Sequence, residues 1–472
     1  MKAKYYILIA AAAVLSVSCE KFLDENLKGG YSSENYFTTA SKAEMAVNAI
    51  YNSLYGNTLW IFGDVASDDA LTGGDDGDQP QINEIDALTA NPDNGSLGSF
   101  WQDTYETISR ANNAISNIEG MTMDEVLKAR LLGEAKFLRA YSYFNLVNIF
   151  GKVPLKIKPQ VNSANIHVGL SSVEDIYAQI DKDLSEAAVG LSDLKDGHVN
   201  RAAAYAMLAK SKVFQQKWNE AVSAITQFEA LNAGYDLEPN YADLFKSGGE
   251  NSVESVFAIR YATNKIASQG NLLNVWFAPF IEGGYHFNAP TQNYVDCFTE
   301  KTLGGADDPR LDASIGRAGK PWFNNTTFDA SWGNVTGYLV KKYDEDAVED
   351  MAKSQSTIPQ HRIRYAEVLL LKAEALNESG PGNVGVAAAA LDQVRSRAQL
   401  AGTTASTQAA LRDAIRLERR RELGFEFHRF FDVMRYGKAY AVAALGAAAW
   451  PSDQRYYFPL PQGETDANAA LK

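Results

Sequence analysis

Residues 133–155, GEAKFLRAYSYFNLVNIFGKVPL, constrain this chain more than any other stretch. Leu131, Ala135 and Leu138 recur at i, i+4 and i+7, with Phe137, Tyr141, Phe144 and Val147 beside them. That spacing predicts a helix with a wide apolar face. From Tyr141 onward apolar side chains nearly encircle the axis, which places the helix between other helices rather than on a surface. Gly151 ends it, and Pro154 prevents a restart.

Residues 1–18 read as an address. Lys2 and Lys4 form a charged start, Tyr5 to Val17 an apolar run, and Ser16-Val17-Ser18 a small-residue cleavage site before Cys19. The run is too short to span a hydrocarbon layer of about 30 Å as a helix. A cysteine at the new N-terminus predicts fatty acylation, which anchors a protein to a membrane without crossing it. Leu15 stands one place off the usual lipobox leucine. Residues 19–40 are expected to be the lipidated cysteine and its tether. Once Cys19 is acylated, Cys297 is left without a disulfide partner, and its neighbours Val295 and Phe298 make it an ordinary buried thiol. Removing residues 1–18 takes the formal charge from −14 to −16. That acidity disfavours nucleic acid and anionic lipid as partners, and strongly anionic ligands with them.

Ser41 to Tyr55 is expected to be the first helix, with Ser41 and Glu44 as a capping box. Asn57 to Ser99, rich in Gly, Asp and Asn, reads as a long loop, either functional or disordered. Phe100 to Ile118 resumes the helices. Residues 200–231 read as a helix–turn–helix repeat with small Ala209 and Ala221 at the crossing, and a second copy starts at Arg362, with Ala373 and Ala375. Ser171 to Leu191 fits another helix, capped by Ser172. Residues 232–360 hold Gly, Asn, aromatics and short β-like runs such as SVFAIR from Ser255, so they read as an irregular insertion on the helical scaffold. The expected division is 41–231 helical, 232–360 insertion and 361–472 helical with a closing segment.

Catalytic motifs are missing: there is no nucleophile elbow, zincin helix, Walker loop or dinucleotide fingerprint. His167, His198, His286, His361 and His428 have no metal-ligand spacing. The chain is therefore expected to bind rather than catalyse, with no cofactor and no metal. Asp75-Asp76-Gly77-Asp78 reads as a solvated acidic loop, with calcium as the alternative. Two carboxylates suffice for glycoside hydrolysis, and Asp307-Asp308 is the best candidate pair. Glu418, Arg419, Glu422, Arg429, Asp432 and Arg435 read as i,i+4 and inter-helix ion pairs. In the insertion, Trp276, Tyr285, Trp322, Trp332 and Tyr338 lie among Asn274, Asn288, Asn324, Asn325, Asn334 and Asp329. Flat aromatics suit the C–H face of a sugar and amides its hydroxyls. Core packing is the alternative for each aromatic singly.

The 133–155 string closely resembles a signature of the SusD/RagB family, the surface lipoproteins that capture nutrients for outer-membrane transporters. W-x3-Y-x2-I-x-R-A-N from Trp101, the segment 414–439 and Tyr457-Phe458-Pro459-Leu460-Pro461 resemble the same family, and Asp308-Pro309-Arg310 resembles its structural turn-capping motif. Glu20, Asp24 and Glu25 are similar to the tethers that export such lipoproteins to the surface. The resemblance implies a mostly α scaffold of tetratricopeptide-like repeats acting as a lid over a SusC-like TonB-dependent barrel, with a glycan as ligand. Peptide capture, glycan cleavage and a purely structural lid are the alternatives. By matching segments it implicates Asp68, Asp69 and Asn94 beside Trp276, Tyr285, Trp322 and Trp332 as ligand-binding residues. Trp60 either lines that site or anchors the loop.

Overall fold

The computed structural model describes residues 36–54, 58–160, 166–262, 269–333, 335–348 and 351–471. Cys19, the leader before it, the tether as far as residue 35, and Asn334 lie outside the described residues. Before the insertion the chain forms α1 (Ala40–Asn52), α2 (Pro80–Asp86), α3 (Gly95–Glu119), α4 (Glu125–Phe150), α5 (Val173–Gly190), α6 (Arg201–Phe214) and α7 (Trp218–Ala230). After it come α8 (Tyr365–Ser379), α9 (Val384–Arg397), α10 (Gln408–Leu423) and α11 (Arg429–Arg435). The architecture is the mostly α one expected. Among the described residues no helix is long and apolar enough to cross a membrane.

The central helix, α4, is buried at almost every position from Gly133 to Phe150, because α1, α3, α5 and α6 pack around it. Asp124 caps its start by accepting from the Leu127 amide. Its one buried cation is satisfied from both sides. Arg139 makes a two-pronged pair with Asp183 at 2.8 and 2.7 Å and also donates to Asn112 at 2.8 Å, so the W-x3-Y motif locks α3 to α4. At the helix end Gly151 has φ +71°, and a Cβ there would meet the Tyr457 ring at 3.1 Å. The closing segment seals that end, with the Phe458 amide donating to Ile149 O at 3.0 Å.

From α5 the stack runs through α6, α7 and α8, and α8 in turn packs on α9 and α10. Ala209, Ala221, Ala373 and Ala375 are fully buried at the crossings, where small side chains let backbones approach. Two of the expected boundaries move. Thr39 rather than Ser41 caps α1, accepting from the Lys42 amide, and Ser41 falls inside the helix. The polar stretch before Phe100 is largely ordered: it holds a π-helical turn (Ile61–Val65), strand β1 (Ala70–Gly73), α2, and the first turn of α3. Buried Trp60, Ile61, Phe62, Val65, Ile82 and Ile85 join the main hydrophobic core, which the surrounding Gly and Asp conceal in the sequence.

The described strands pair as three short antiparallel ribbons, formed by the insertion, its edges and β1 of the early segment. Strand β2 (Ser255–Ile259) pairs with β6 (Gln360–Arg364), so the segment leaves and rejoins the scaffold at one place. Strand β3 (Phe287–Pro290) pairs with β1, and β4 (Ile315–Gly316) with β5 (Leu339–Val340).

Segment 414–439 clamps these parts together through charge. The expected i,i+4 pairs along its helices are largely replaced by pairs between elements. Arg310 reaches Asp308, Glu418 and Glu422 at 2.6, 2.6 and 3.0 Å. Arg364 pairs with Glu254, with Glu422 at 3.0 Å and with Glu426 at 2.7 Å, while Arg397 adds to Glu254 and Glu422. Arg419 and Arg435 share Asp432, and Arg435 also holds Glu374. Every one of these groups is almost fully buried, and each cation meets more than one carboxylate. Asp308 also caps the short helix Pro309–Ser314, which accounts for the Asp-Pro-Arg run.

A second tie is neutral. A Cβ on Gly63 would lie 2.4 Å from Phe427 O, so the π-helical turn and the 425–427 turn meet backbone to backbone. There Asp64, fully buried, accepts from the Phe427 amide at 3.0 Å and from Asn288 Nδ2 at 3.1 Å. Burial pushes its carboxyl up from 3.8 to about 8, against those hydrogen bonds. Because the folded pKa is raised, the stabilisation it carries is complete below the unfolded value and is lost as pH rises through about 8. Asp64→Asn is expected to abolish that loss. Its stability relative to the parent should climb from about pH 5 to about pH 8, by no more than about 1.4 kcal/mol per pH unit, measured as urea midpoints.

Candidate functional site

Pairing of β1 with β3 sets Ala70 opposite Pro290 and Gly73 opposite Phe287, which carries the acidic 74–78 turn to the face of the insertion. On that face lies the one-turn helix Leu273–Phe277, with Trp276 half-buried. Its ring is held from behind by Trp60 at 5.7 Å and Phe287 at 5.1 Å, and meets Tyr285 edge-on at 5.7 Å. Trp60 itself is buried and anchors the loop. Tyr285, by contrast, is 51% exposed, and the turn before it carries Phe280 at 72% and Ile281 at 71%. The turn is fixed by backbone: the Tyr285 amide donates to Val275 O at 2.9 Å, and a Cβ on Gly284 would meet Ala278 O at 2.1 Å. An aromatic and aliphatic ledge thus stands in solvent on a rigid base.

Beside the ledge opens a cleft of about 460 Å³ lined by Asn274, Glu282, Asn324, Glu345, Asp346 and Lys353, among others. Lys353 bridges Glu282 at 2.7 Å and Asp344. Burial pushes the Asp344 carboxyl up to about 7 despite the Lys353 charge. Asn324 braces the rim, its amide donating to Asp346 Oδ1 and its side-chain oxygen accepting from the Ala347 amide. A surface of this kind offers a flat apolar face next to carboxylate, amide and ammonium groups, the chemistry that holds a polyhydroxylated ring.

The expected site residues divide. Trp276 and Tyr285 share the ledge. Trp322, only 5% exposed, packs on Phe328 and Phe323 and donates its Nε1 to Glu282 at 3.0 Å. Trp332 rests half-buried against Phe328 in the same small core. Trp322 therefore lies beneath the cleft wall instead of forming an open platform. Asp68 is gripped by Arg429 at 2.7 and 2.8 Å, and Asp69 is buried against Arg420 at 2.6 Å. Asn94 caps α3 by accepting from Ser96 and Leu97, and donates to Gln81 O and Glu84. Asp68 and Asn94 are thus fully engaged by the protein itself, while Asp69 keeps one buried oxygen, Oδ2, without a hydrogen-bond partner. Sequence reasoning missed Phe280 and Ile281. Their signal was an apolar pair between Pro279 and Gly283-Gly284, a turn that exposes whatever it carries.

Other sequence candidates are structural. Asp307 pairs with Lys301 at the surface while Asp308 faces the buried Arg310, so the two carboxylates do not share a cleft. Among the described residues no group of His, Cys, Asp and Glu is arranged to hold a metal ion. Cys297 is half-buried rather than the fully buried thiol expected; it donates to Tyr294 O at 2.8 Å, and desolvation pushes its thiol up to about 12.

Comparison with known proteins agrees with this architecture. A family model described as "SusD family" matches residues 253–472, and one described as "Starch-binding associating with outer membrane" matches residues 21–213. SusD-like protein P2 of Formosa agariphila is 28% identical, over 99% of this chain and 98% of that protein. A solved SusD superfamily protein from Bacteroides vulgatus superposes with a TM-score of 0.82 at 23% identity, covering 93% of this chain and 99% of that one. A laminarin-binding SusD-like protein superposes with a TM-score of 0.77 at 27% identity, covering 91% and 97%. The stacked helix pairs, the charged clamp of segment 414–439 and these matches along both halves make this chain a member of the SusD/RagB family.

Proposed function

We propose that this protein captures glycans at the outer membrane, held there by an acylated Cys19, and passes them to a SusC-like TonB-dependent transporter. The observation that carries the reading is the ledge of Tyr285, Phe280 and Ile281, backed by Trp276 and bordered by the cleft at Glu282 and Lys353. Residues 232–360 are the ligand-facing unit in this reading, and the repeats hold it in place. Trp322 contributes indirectly, by fixing Glu282. The family description and the laminarin-binding relative favour a neutral glucan. So does charge: Glu282, Glu345 and Asp346 line the cleft with Lys353 as its one ammonium, on a chain of net charge −14.

The test is calorimetry of the mature protein with laminarin, amylose, a polyuronate and a mixed-peptide pool. Binding of a neutral glucan with no heat from the peptides is the expected result. Heat from peptides alone would replace glycan with peptide as the ligand. Chromatography of the glucan after incubation is expected to show no shortened products, since the proposed role is capture.

A further inference from the structure

A small cavity lies where the helical stack meets the strand that leaves the insertion. Its volume is about 20 Å³, room for one water-sized particle. Tyr141 of α4, Lys210 of α6, Arg362 of β6, and Glu426 and His428 of the following turn line it. Arg362 is 4% exposed. Its Nη2 donates to Gln360 Oε1 at 2.6 Å, and its guanidinium lies over the Phe427 ring at 5.0 Å. Nε and Nη1 are buried with no partner from the protein, and so is the Tyr141 hydroxyl.

The charges around the cavity do not cancel. Glu426 is already shared by Lys342 and Arg364, and Lys210 is paired with Glu367 at 3.0 Å. Burial, helped by Lys210, holds His428 down at about 4, so it is neutral at physiological pH. One positive charge, that of Arg362, is left over in a nearly dry place. A buried ion without a counter-charge is strongly unfavourable. A water molecule would satisfy the N–H groups but leave that charge standing. A small anion answers both, because it accepts hydrogen bonds and carries the opposite sign.

We propose that this cavity binds a single monatomic anion, chloride in ordinary salt, held by Arg362 Nε–H and Nη1–H and by the Tyr141 hydroxyl. The anion joins α4, α6, β6 and the 426–428 turn, and so braces the exit of the insertion against the scaffold. It is independent of the glycan reading.

Two measurements test it. Crystals of the mature protein soaked in sodium bromide are expected to give an anomalous peak in the cavity, bonded to Arg362. A water there, with no anomalous signal, overturns the proposal. Melting temperature at constant ionic strength, with chloride replaced by gluconate, is expected to rise by about 2 °C per tenfold increase in chloride. Arg362→Met should abolish that dependence, and Tyr141→Phe, which removes one hydroxyl from an intact core, should shift the half-saturating chloride concentration upward. A parent protein that melts identically in chloride and gluconate overturns the proposal, whatever the variants do.

Discussion

Replacing Arg364 by methionine is expected to cost at least about 3–5 kcal/mol of stability, the usual penalty for removing one partner of a buried ion pair. Arg364 is fully buried and serves Glu254, Glu422 and Glu426 at once, so its loss leaves three carboxylates short of positive charge. Natural domains hold only about 5–15 kcal/mol in reserve, so the variant should be recovered largely unfolded or with a greatly lowered urea midpoint. Arg364→Lys keeps the charge but not the planar fork and should restore part of the loss. The effect has a pH signature. Burial alone would raise Glu426, but the charges of Arg364 and Lys342 overcome it and hold it at about 2. Burial opposes Glu422 in the same way, and Arg397, Arg364 and Arg310 hold it well below the usual range. With folded pKa values depressed, that stabilisation is present above the unfolded value and is lost as pH falls through the folded one. The difference between parent and variant should therefore shrink from about pH 4.5 downward, and a difference that is flat with pH would contradict the clamp.

Shaving the ledge should weaken ligand binding while leaving the fold intact. Tyr285→Ala and Phe280→Ser are each expected to reduce affinity for the bound glucan about tenfold or more, as truncation of aromatic anchors does. Both side chains stand in solvent, so urea midpoints should move little. Trp322→Ala is the contrasting variant. It empties a packed site under the cleft and is expected to cost about 3–5 kcal/mol of stability, with a lesser effect on affinity through the freed Glu282. Calorimetry beside equilibrium unfolding separates the two. Strong binding loss in Trp322→Ala at full stability, with Tyr285→Ala unaffected, would move the site from the ledge to the satellite core.

Reading the chain alone located the helices well because a core helix writes its environment into its spacing. The near-encircling apolar run of α4, the small residues at 209, 221, 373 and 375, and the Gly151 stop each have one structural meaning. The order hidden in residues 58–99 was not legible, since Trp60, Phe62 and Val65 are too few to set a period and their partners come from residues far along the chain. The same holds for Asn94. An Asn before Gly-Ser-Leu is equally suited to a cap and to a ligand, and only the folded Ser96 and Leu97 amides decide between them.

What the sequence determined by itself is the scaffold: its helices, its repeat pattern and the family it resembles, all set by local periodicity and by signatures of contiguous residues. What the tertiary structure decided is the fate of each polar and aromatic side chain in the irregular parts. Asp68 and Asp69 went to Arg429 and Arg420, and Trp322 went beneath Glu282, while Tyr285, Phe280 and Ile281 were left in solvent. The physical reason is range. Helical patterning is fixed by neighbours within a few positions, whereas exposure and charge pairing depend on residues up to hundreds of positions away, as with Asp68 and Arg429, 361 apart.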